Sequence, residues 1–395
     1  MADPLRLRPS WTIDGHGAVT APDDEVFVHG DLLATGGSGD VPVHDEAAAV
    51  IDLDGCTLLP GMVDAHAHVY EYGQSPTDLR ATTRALLETG FVTIRDLGSP
   101  GRALLDHRDE LVTSPAGGPR LMVCGRILSR PSRGAERFGA LYRVARGPAG
   151  MRRAVRAEAA RDVDLIKVMV TGALNVPGED IDPPQVTEEE LRAIVSEAAT
   201  LDLPVAAHAE GLEGIRLAVR CGVDTVEHGE TACQDPAVLE AMRTAGIALV
   251  PTLALFEEVS EGGETAEVRE RAQRLRELAF RTVAQAQEIG VELACGPDVL
   301  STLGPRHSGP TELRLLAEAG LSAPALVRAA TLQLSRAGQA QPATLSDGAP
   351  ADLIAVRGDV RRDPAALWRA PPALVVRAGV PVRLPEDRRP PRAPR

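Results

Sequence analysis

The sequence of 395 residues contains few aromatic residues and few cysteines. Aromatic residues make up 3% of the chain, so Leu, Val, Ala and Ile must build most of its core. The five cysteines are an odd number, and each stands alone without a CxxC pair. This pattern excludes the disulfide framework of a small secreted domain and favours a reducing compartment.

The chain also lacks an excess of positive charge and a long apolar run at its N-terminus. Its net charge of −14 at pH 7 argues against a nucleic-acid-binding surface, which needs clustered Lys and Arg. The same charge argues against binding to anionic membranes. The first residues, MADPLRLRPSW, indicate neither a signal peptide nor a membrane span. We therefore predict a cytoplasmic protein.

From Leu58 to Asp298 the sequence alternates between short apolar stretches and helical segments. Eight stretches are predicted as strands, at 58–70, 90–98, 119–129, 164–172, 204–210, 224–230, 248–255 and 291–298. Strands that alternate with helices form parallel βαβ units, and eight such units predict an α/β fold, a (β/α)8 TIM-type barrel. A doubly wound open sheet would normally carry a Gly-rich turn after its first strand, where this chain has His66-Ala67-His68.

The two ends of the chain have a different pattern. Residues 1–57 contain short β-like pieces separated by Gly and Asp turns, and β character returns in TLSDGAPADLIAVRGD at 344–359. We therefore predict a small β-sandwich domain built from residues 1–57 and 342–395. The barrel, residues 58–341, would be inserted between these two pieces.

Candidate metal ligands lie at the C-terminal ends of the predicted strands, where barrels of this kind place their reactive groups. His66 and His68 are two residues apart on the first strand, so their side chains point to the same face. Neutral imidazole is a preferred ligand for zinc-type cations. Four further candidates end later strands: Lys167, His208, His228 and Asp298.

Lys167 is the unusual member of this group. It stands between Ile166 and Val168 in a strand that should be buried, and a buried cation needs a partner. As a neutral amine it can react with carbon dioxide to give a carbamate. A carbamate offers two anionic oxygens that could bridge two metal ions.

These stretches resemble the amidohydrolase superfamily of metal-dependent hydrolases. PGMVDAHAH is similar to its first-strand signature, and DLIKVMVTG to its carboxylated-lysine strand. VAAHAEG and VEHGE resemble its two later histidine strands, and CGPD its final aspartate strand, which usually reads GTD. VRAATLQLSRAG and DGAPADLIAV resemble its closing pattern. The resemblance spans about Ile51 to Val356 and is nearest to the prolidase-like and imidazolonepropionase-like enzymes. It implies a barrel with a β-sandwich made from both termini.

The resemblance also implies a role for each candidate ligand. His66, His68 and Asp298 would hold the more buried of two divalent ions, most readily zinc. His208 and His228 would hold the more exposed ion, and carboxylated Lys167 would bridge the two. Such a pair lowers the pKa of a water and polarises the scissile carbonyl. Asp298 would act as general base and then as general acid; its alternative role is a cap for the following turn.

The implied function is hydrolysis of an amide-type carbon–nitrogen bond in a small molecule or peptide. Candidate substrates are a dipeptide, an N-acyl amino acid, a cyclic amide or a modified peptide, including one trimmed in natural-product tailoring. A ring deaminase of the same superfamily is an alternative, although such enzymes often lack the bridging lysine. A non-catalytic barrel scaffold is another, although such proteins typically lose metal ligands. A homo-oligomer is left open.

The sequence departs from the superfamily pattern at two places. Prolidase-like relatives usually carry Gly-Gly-His after the third strand, where this chain has SRPSRGAERFG. Arg130, Arg133 or Arg137 could supply a cation there, or the segment could be a solvated loop. Pro297 stands where the family has Thr, which changes the backbone that leads into Asp298.

Four further residues are candidates for substrate contact. Arg95, at the end of the second strand, could bind a substrate carboxylate or pair with Asp96 or another acid. Tyr70 and Tyr72 follow the paired histidines and could line the pocket or serve packing. His307 lies in the loop after the eighth strand, where an exposed position is expected.

Overall fold

A computed structural model describes residues 4–17, 19–20, 25–35, 48–70, 75–298, 309–334 and 340–385. The chain begins with five strands, of which β1 and β5 are long and lie parallel to each other. β3 pairs with β1 and with β4 in antiparallel fashion. The bounds are β1 Leu5–Ile13, β2 Val19–Thr20, β3 Val26–His29, β4 Leu32–Thr35 and β5 Ala49–Pro60.

The middle of the chain alternates between parallel strands and helices. The strands are β6 Met62–Ala67, β7 Phe91–Asp96, β8 Arg120–Val123, β9 Ile127–Ser129, β10 Tyr142–Val144, β11 Ile166–Met169, β12 Val205–Ala209, β13 Thr225–His228 and β14 Ala248–Val250. The helices are α1 Pro76–Glu88, α2 Ala103–Thr113, α3 Arg133–Phe138, α4 Gly147–Ala159, α5 Glu188–Ala199, α6 Leu212–Cys221, α7 Pro236–Ala245, α8 Leu253–Gly262 and α9 Ala266–Ile289.

The parallel strands close into a barrel through residues 291–298. The amide of Ala294 donates to the carbonyl of Leu249 in β14 at 3.0 Å, and the amide of Ala65 in β6 donates to the carbonyl of Cys295 at 2.8 Å. The strands β6, β7 and β8 form one hydrogen-bonded sheet. A second sheet has the order β10, β9, β11, β12, β13 and β14. The amide of Asp164, just before β11, donates to the carbonyl of Val123 at 2.9 Å and links the two sheets.

The C-terminal part returns to the sheet in which the chain began. Its elements are α10 Gly309–Glu318, α11 Ala323–Thr331, β15 Leu332–Leu334, β16 Ala340–Pro342, β17 Leu353–Arg357, β18 Leu374–Arg377 and β19 Val380–Arg383. β17 pairs with β5, so strands from both ends form one eight-stranded sheet. The predicted α/β fold class with a (β/α)8 TIM-type barrel is confirmed, and the β-sandwich domain expected from both chain termini contains this eight-stranded sheet.

Two predicted strands end earlier than the sequence suggested. The stretch 58–70 divides at Gly61, since Leu58–Pro60 belongs to the terminal sheet and β6 begins at Met62. A Cβ on Gly61 would lie 2.2 Å from Val92, so only glycine fits this crossing. The predicted strand 248–255 stops at Val250, because Pro251 cannot donate to a ladder and Thr252 has a φ of +49°. The helix α8 begins directly after Thr252, at Leu253.

The residues of the hydrophobic core reflect the scarcity of aromatic residues in the sequence. The largest cluster of this core lines the barrel and the helices around it, and it consists mainly of Leu, Val, Ile and Ala. The five cysteines are free and buried, as expected for a chain without a disulfide framework. Among the described residues, no helix combines the length and apolar character needed to cross a membrane.

Candidate metal centre

A cavity of 720 Å³ lies at the C-terminal ends of the barrel strands. The six predicted metal ligands all line it, and the strand ends bring them together from positions up to 232 residues apart in sequence, the separation of His66 and Asp298. The parallel barrel explains this convergence, since every strand ends on the same face. Those residues are His66, His68, Lys167, His208, His228 and Asp298.

Asp298 lies against the paired histidines of the first strand. Its Oδ1 is 3.1 Å from Nε2 of His68 and 3.3 Å from Nε2 of His66. Burial alone would raise the pKa of Asp298, but His66, His68 and Lys167 outweigh it and hold the pKa at about 2. Burial lowers the pKa of His66 to about 4. Asp298 is therefore a carboxylate and His66 a neutral imidazole at neutral pH, which are the metal-binding forms.

His208 and His228 form the second half of the cluster. Their ring centroids are 4.3 Å apart, and His228 lies 5.2 Å from His66 by the same measure. Nε2 of His208 donates to the carbonyl of Gly172 at 3.0 Å, and Nδ1 of His228 shares a 2.8 Å hydrogen bond with Oγ1 of Thr252. The contact to Gly172 leaves Nδ1 of His208 available to a metal ion, and Nε2 of His228 is available when its Nδ1 donates to Thr252.

Lys167 is the only lysine among the 42 Lys and Arg residues of the chain. Its side chain is 2% exposed, and its Nζ has no hydrogen-bond partner among the described residues. Burial lowers the pKa of Lys167, which favours the neutral amine. A buried amine with a lowered pKa beside four histidines favours the state from which a carbamate can form. Arginine could not replace it in this reaction.

Beneath the ligands, Glu227 connects His66 to Arg95. The carboxylate accepts from Nδ1 of His66 at 2.9 Å and from the Arg95 guanidinium at 2.6 Å, and it is fully buried. Arg95 also donates to the carbonyl of Ala65 at 2.6 Å. Although burial opposes ionisation, Arg95 and His66 keep the pKa of Glu227 below its usual range. This carboxylate fixes the tautomer of His66 and directs its Nε2 into the cavity.

The backbone at three strand ends adopts the left-handed region with residues other than glycine. The φ angles are +71° at His228, +49° at Thr252 and +51° at Asp298. Such conformations cost free energy, and they cluster at functional sites because they direct a side chain that must be placed. Gly296 allows the eighth strand to approach His66, since a Cβ there would lie 2.7 Å from the His66 amide nitrogen. The amide of Asp298 donates to the carbonyl of His66 at 2.9 Å.

The segment that replaces Gly-Gly-His forms a short helix and one wall of the cavity. Ser132 caps α3 by accepting from the amide of Ala135. Of the three arginines considered, Arg137 lines the cavity and pairs with Glu264 at 2.5 Å. Arg130 and Arg133 line a separate cleft of 470 Å³. The same wall presents Phe138 and Tyr142, whose rings stack at 6.1 Å.

The remaining sequence candidates are placed differently. Tyr70 lines the cavity. Arg95 is 3% exposed and pairs with an acid, but the acid is Glu227 and not Asp96. Of the two alternatives for Arg95, the structure therefore shows the ion pair with an acid, which lies below the candidate ligands. Tyr72 and His307 lie outside the described residues.

Several residues of the site escaped sequence analysis. Glu227 precedes His228 in VEHGE, and Glu210 follows His208 in VAAHAEG, so both were inside recognised stretches. Oε1 of Glu210 is 3.3 Å from Nε2 of His208. Neither Thr252 nor Glu258 lies in a sequence motif that points to a functional site. Potential ligand atoms lie within 4.8 Å of one another in two groups, His66 with His228 and Asp298, and His208 with Glu210 and His228.

Comparison with known proteins agrees with this geometry. Residues 57–382 match the family model described as amidohydrolase family. An uncharacterised protein of Mycobacterium tuberculosis is 31% identical over 358 residues, covering 86% of this chain and 89% of that protein. Ochratoxinase of Aspergillus niger is 28% identical over 350 residues, covering 78% of this chain and 71% of the enzyme. A solved Xaa-Pro dipeptidase with methionine in its active site superposes with a TM-score of 0.83 at 26% identity, covering 96% and 99% of the two chains.

Proposed function

Because the chain belongs to the amidohydrolase family, we propose that it hydrolyses an amide-type bond of a small molecule or peptide with Asp298 as the proton carrier. It is a hydrolase that acts on carbon–nitrogen bonds. The observation that carries the finer proposal is the convergence of four histidines, one aspartate and one buried lysine in a single cavity, where the lysine has no hydrogen-bond partner within the described part of the chain. The name of the similar Xaa-Pro dipeptidase describes an enzyme that cleaves dipeptides.

The residues present fit two divalent ions, most readily zinc. His66, His68 and Asp298 would hold one ion, His208 and His228 the other, and carboxylated Lys167 would bridge them. The Nζ of Lys167 has no hydrogen-bond partner among the described residues, and this supports the bridge because a buried amine without a partner is costly. When bound, the ions would lower the pKa of a water molecule and polarise the scissile carbonyl.

The chain's own residues would then move the proton and hold the geometry. Asp298 is a carboxylate that faces the cavity, so it can accept the proton of the attacking water and return it to the leaving nitrogen. Glu227 holds His66 in a fixed tautomer and Thr252 orients the ring of His228, so the ligand atoms do not need to reorganise. The apolar walls would limit access of bulk water.

We also propose the division of the chain into a β domain of residues 1–57 and 342–395 and a barrel of residues 58–341. The last strand of the first piece, β5, continues to Pro60 in the structure. A cytoplasmic location stays a prediction from cysteine usage. The absence of nucleic-acid and membrane partners stays a prediction from the net charge.

The function is tested by turnover of a substrate panel with metal-loaded protein. The panel contains dipeptides, N-acyl amino acids, cyclic amides and simple ring amines, and products are followed by mass spectrometry. We expect cleavage of at least one amide class and release of a free amine and a carboxylate. Release of ammonia from the ring amines alone would favour the deaminase instead.

The first prediction concerns metal content. After zinc supplementation and removal of free metal, elemental analysis should find close to two zinc ions per chain, because six ligands converge on one cavity. The double variant His66→Ala, His208→Ala removes one ligand from each half and serves as the control for adventitious binding. Less than about half an equivalent in the wild-type protein would contradict the binuclear centre.

The second prediction concerns Glu227, which positions His66. Glu227→Gln should weaken zinc binding by about 10–100-fold, the usual effect of losing a carboxylate behind a ligating histidine. The variant should also unfold at a lower temperature, because Arg95 loses its buried partner. Competition with a chelator of known affinity measures the first effect. Glu240→Gln, on the exposed face of α7, is the matched control; equal zinc affinity in both variants would refute the role of Glu227.

A further inference from the structure

The cavity has an apolar wall on each side above the candidate ligands. On one side, α8 presents Leu255, Glu258 and Val259, which share one helical face because they are spaced three and four residues apart. On the other side lie the stacked rings of Phe138 and Tyr142. A volume of 720 Å³ is typical of pockets that bind ligands larger than a single amino acid.

Glu258 is the exception on the apolar wall of α8. Its Oε2 is buried and has no hydrogen-bond partner among the described residues. The neighbouring Glu257 faces elsewhere and pairs with Arg314 at 2.8 Å. Buried carboxylate oxygens rarely lack a donor in folded proteins, so this oxygen is a candidate to accept a hydrogen bond from a bound ligand.

The described lining offers no unpaired counterion for an anionic substrate on these walls. Arg137 already pairs with Glu264. Lys167 lies among the candidate metal ligands, and Arg95 is engaged with Glu227 below them. The walls therefore present an unsatisfied hydrogen-bond acceptor, and their one arginine has a partner. This arrangement favours a substrate that carries a hydrogen-bond donor over a substrate that carries an anion.

We propose, building on the amide hydrolysis proposed above, that the substrate is an apolar amide that carries a primary ammonium group, and that Glu258 binds this group. The apolar part would pack between Leu255 and Val259 on one side and Phe138 and Tyr142 on the other. The ammonium would donate to the free oxygen of Glu258. Among the candidate substrates, this favours dipeptides with a free amino terminus over N-acyl amino acids, whose amine is blocked.

The test uses three phenylalkyl ligands of similar size with metal-loaded full-length protein. 3-Phenylpropylamine carries the ammonium, 3-phenylpropanol is neutral, and 4-phenylbutyrate is anionic. Calorimetry should show that the wild-type protein binds the amine about 10- to 100-fold more tightly than the alcohol, as expected for one hydrogen bond to a charged group. Glu258→Gln should bring the amine to within about twofold of the alcohol and leave the alcohol unchanged. Any direct contact of the amine with metal is retained in this variant.

Glu261→Gln is the matched control, because Glu261 lies on the same helix but is exposed. It should keep the wild-type preference for the amine. Glu258→Asp shortens the side chain without removing its charge and should show an intermediate preference for the amine. This variant tests the role of Glu258 if the glutamine variant does not fold. Tightest binding of 4-phenylbutyrate, or an amine preference that survives in Glu258→Gln, would overturn the proposal.

A second arm separates this inference from the proposed function. L-Leucyl-p-nitroanilide and 4-methylpentanoyl-p-nitroanilide differ only in the amino group. If both are cleaved equally, amide hydrolysis stands and the role of Glu258 fails. If no amide in the panel is cleaved but the amine preference depends on Glu258, the binding site stands and the proposed function fails.

Discussion

Replacing Lys167 with alanine is expected to remove both metal and turnover. The variant would lose the bridging carbamate and both of its oxygens. The loss of turnover should therefore exceed the roughly 10–100-fold that is typical of residues that only support a ligand. Acetate or propionate added to the alanine variant should restore part of the zinc content and part of the activity, because a short carboxylate can occupy the vacated space and supply two oxygens. Zinc analysis and turnover are measured on the same samples.

Lys167→Arg is the matched control for charge and bulk. A guanidinium retains a positive charge but cannot form a carbamate, so this variant should also lose metal, and carboxylic acids should not rescue it because the space remains filled. Full activity of either variant would remove Lys167 from the centre.

The carbamate itself can be observed directly because the chain has one lysine. Metal-loaded wild-type protein equilibrated with carbon-13 bicarbonate should give a single side-chain carbamate signal, and Lys167→Ala should lose it. The chain amino terminus, the other primary amine, is present in both proteins and accounts for any signal that persists. An unmodified amine at Lys167 in metal-loaded protein would contradict the bridge.

The sequence predicted which strand-end residues line one cavity, and the reason is physical. Parallel strands of a barrel end on one face, so a residue at a strand end needs no further information to be placed near other strand ends. His66, His208 and His228 could therefore be assigned to one cavity from the order of strands alone. The alternation of strands and helices likewise predicted the barrel, since it follows from the hydrophobic pattern of each segment.

Residues that act through packing could not be predicted in this way. Glu258 belongs to the cavity because α8 begins directly after Thr252, where the sequence suggested that a strand continued. The hydrogen bond between Thr252 and His228 uses the side chain that would otherwise cap α8, and the buried Glu312 of α10 accepts from the amides of Leu253 and Ala254 instead. These contacts join distant segments, so local pattern carries no signal for them.

Arg95 illustrates the same limit. Its position at a strand end was compatible with a substrate contact or an ion pair, and local sequence could not distinguish them. The structure places its guanidinium against Glu227 from β13, 132 residues away. Whether a strand-end side chain faces the cavity or the barrel interior depends on the stagger of neighbouring strands, which the hydrophobic pattern does not specify.

Replacing Asp298 with asparagine should separate catalysis from metal binding. Asparagine has nearly the same shape but cannot accept and return a proton, so kcat should fall by roughly 10²–10⁴-fold, the usual contribution of a general acid–base group. KM should change much less, since the proton is transferred in the transition state and not on binding. Much of the zinc should remain, because His66, His68 and the bridge are unchanged. Steady-state kinetics and zinc analysis on one preparation measure both effects.

The comparison with Asp298→Ala shows whether the loss is chemical or structural. Alanine also removes the oxygen that lies 3.1 Å from His68, so it should lose more zinc than asparagine while its turnover is equally low. A purely structural aspartate that only caps the following turn predicts the opposite pattern, in which asparagine, a good capping residue, keeps wild-type turnover. Wild-type kcat in a fully zinc-loaded Asp298→Asn protein would therefore assign the proton transfer to another group, because no other change in that variant could compensate for a missing general base.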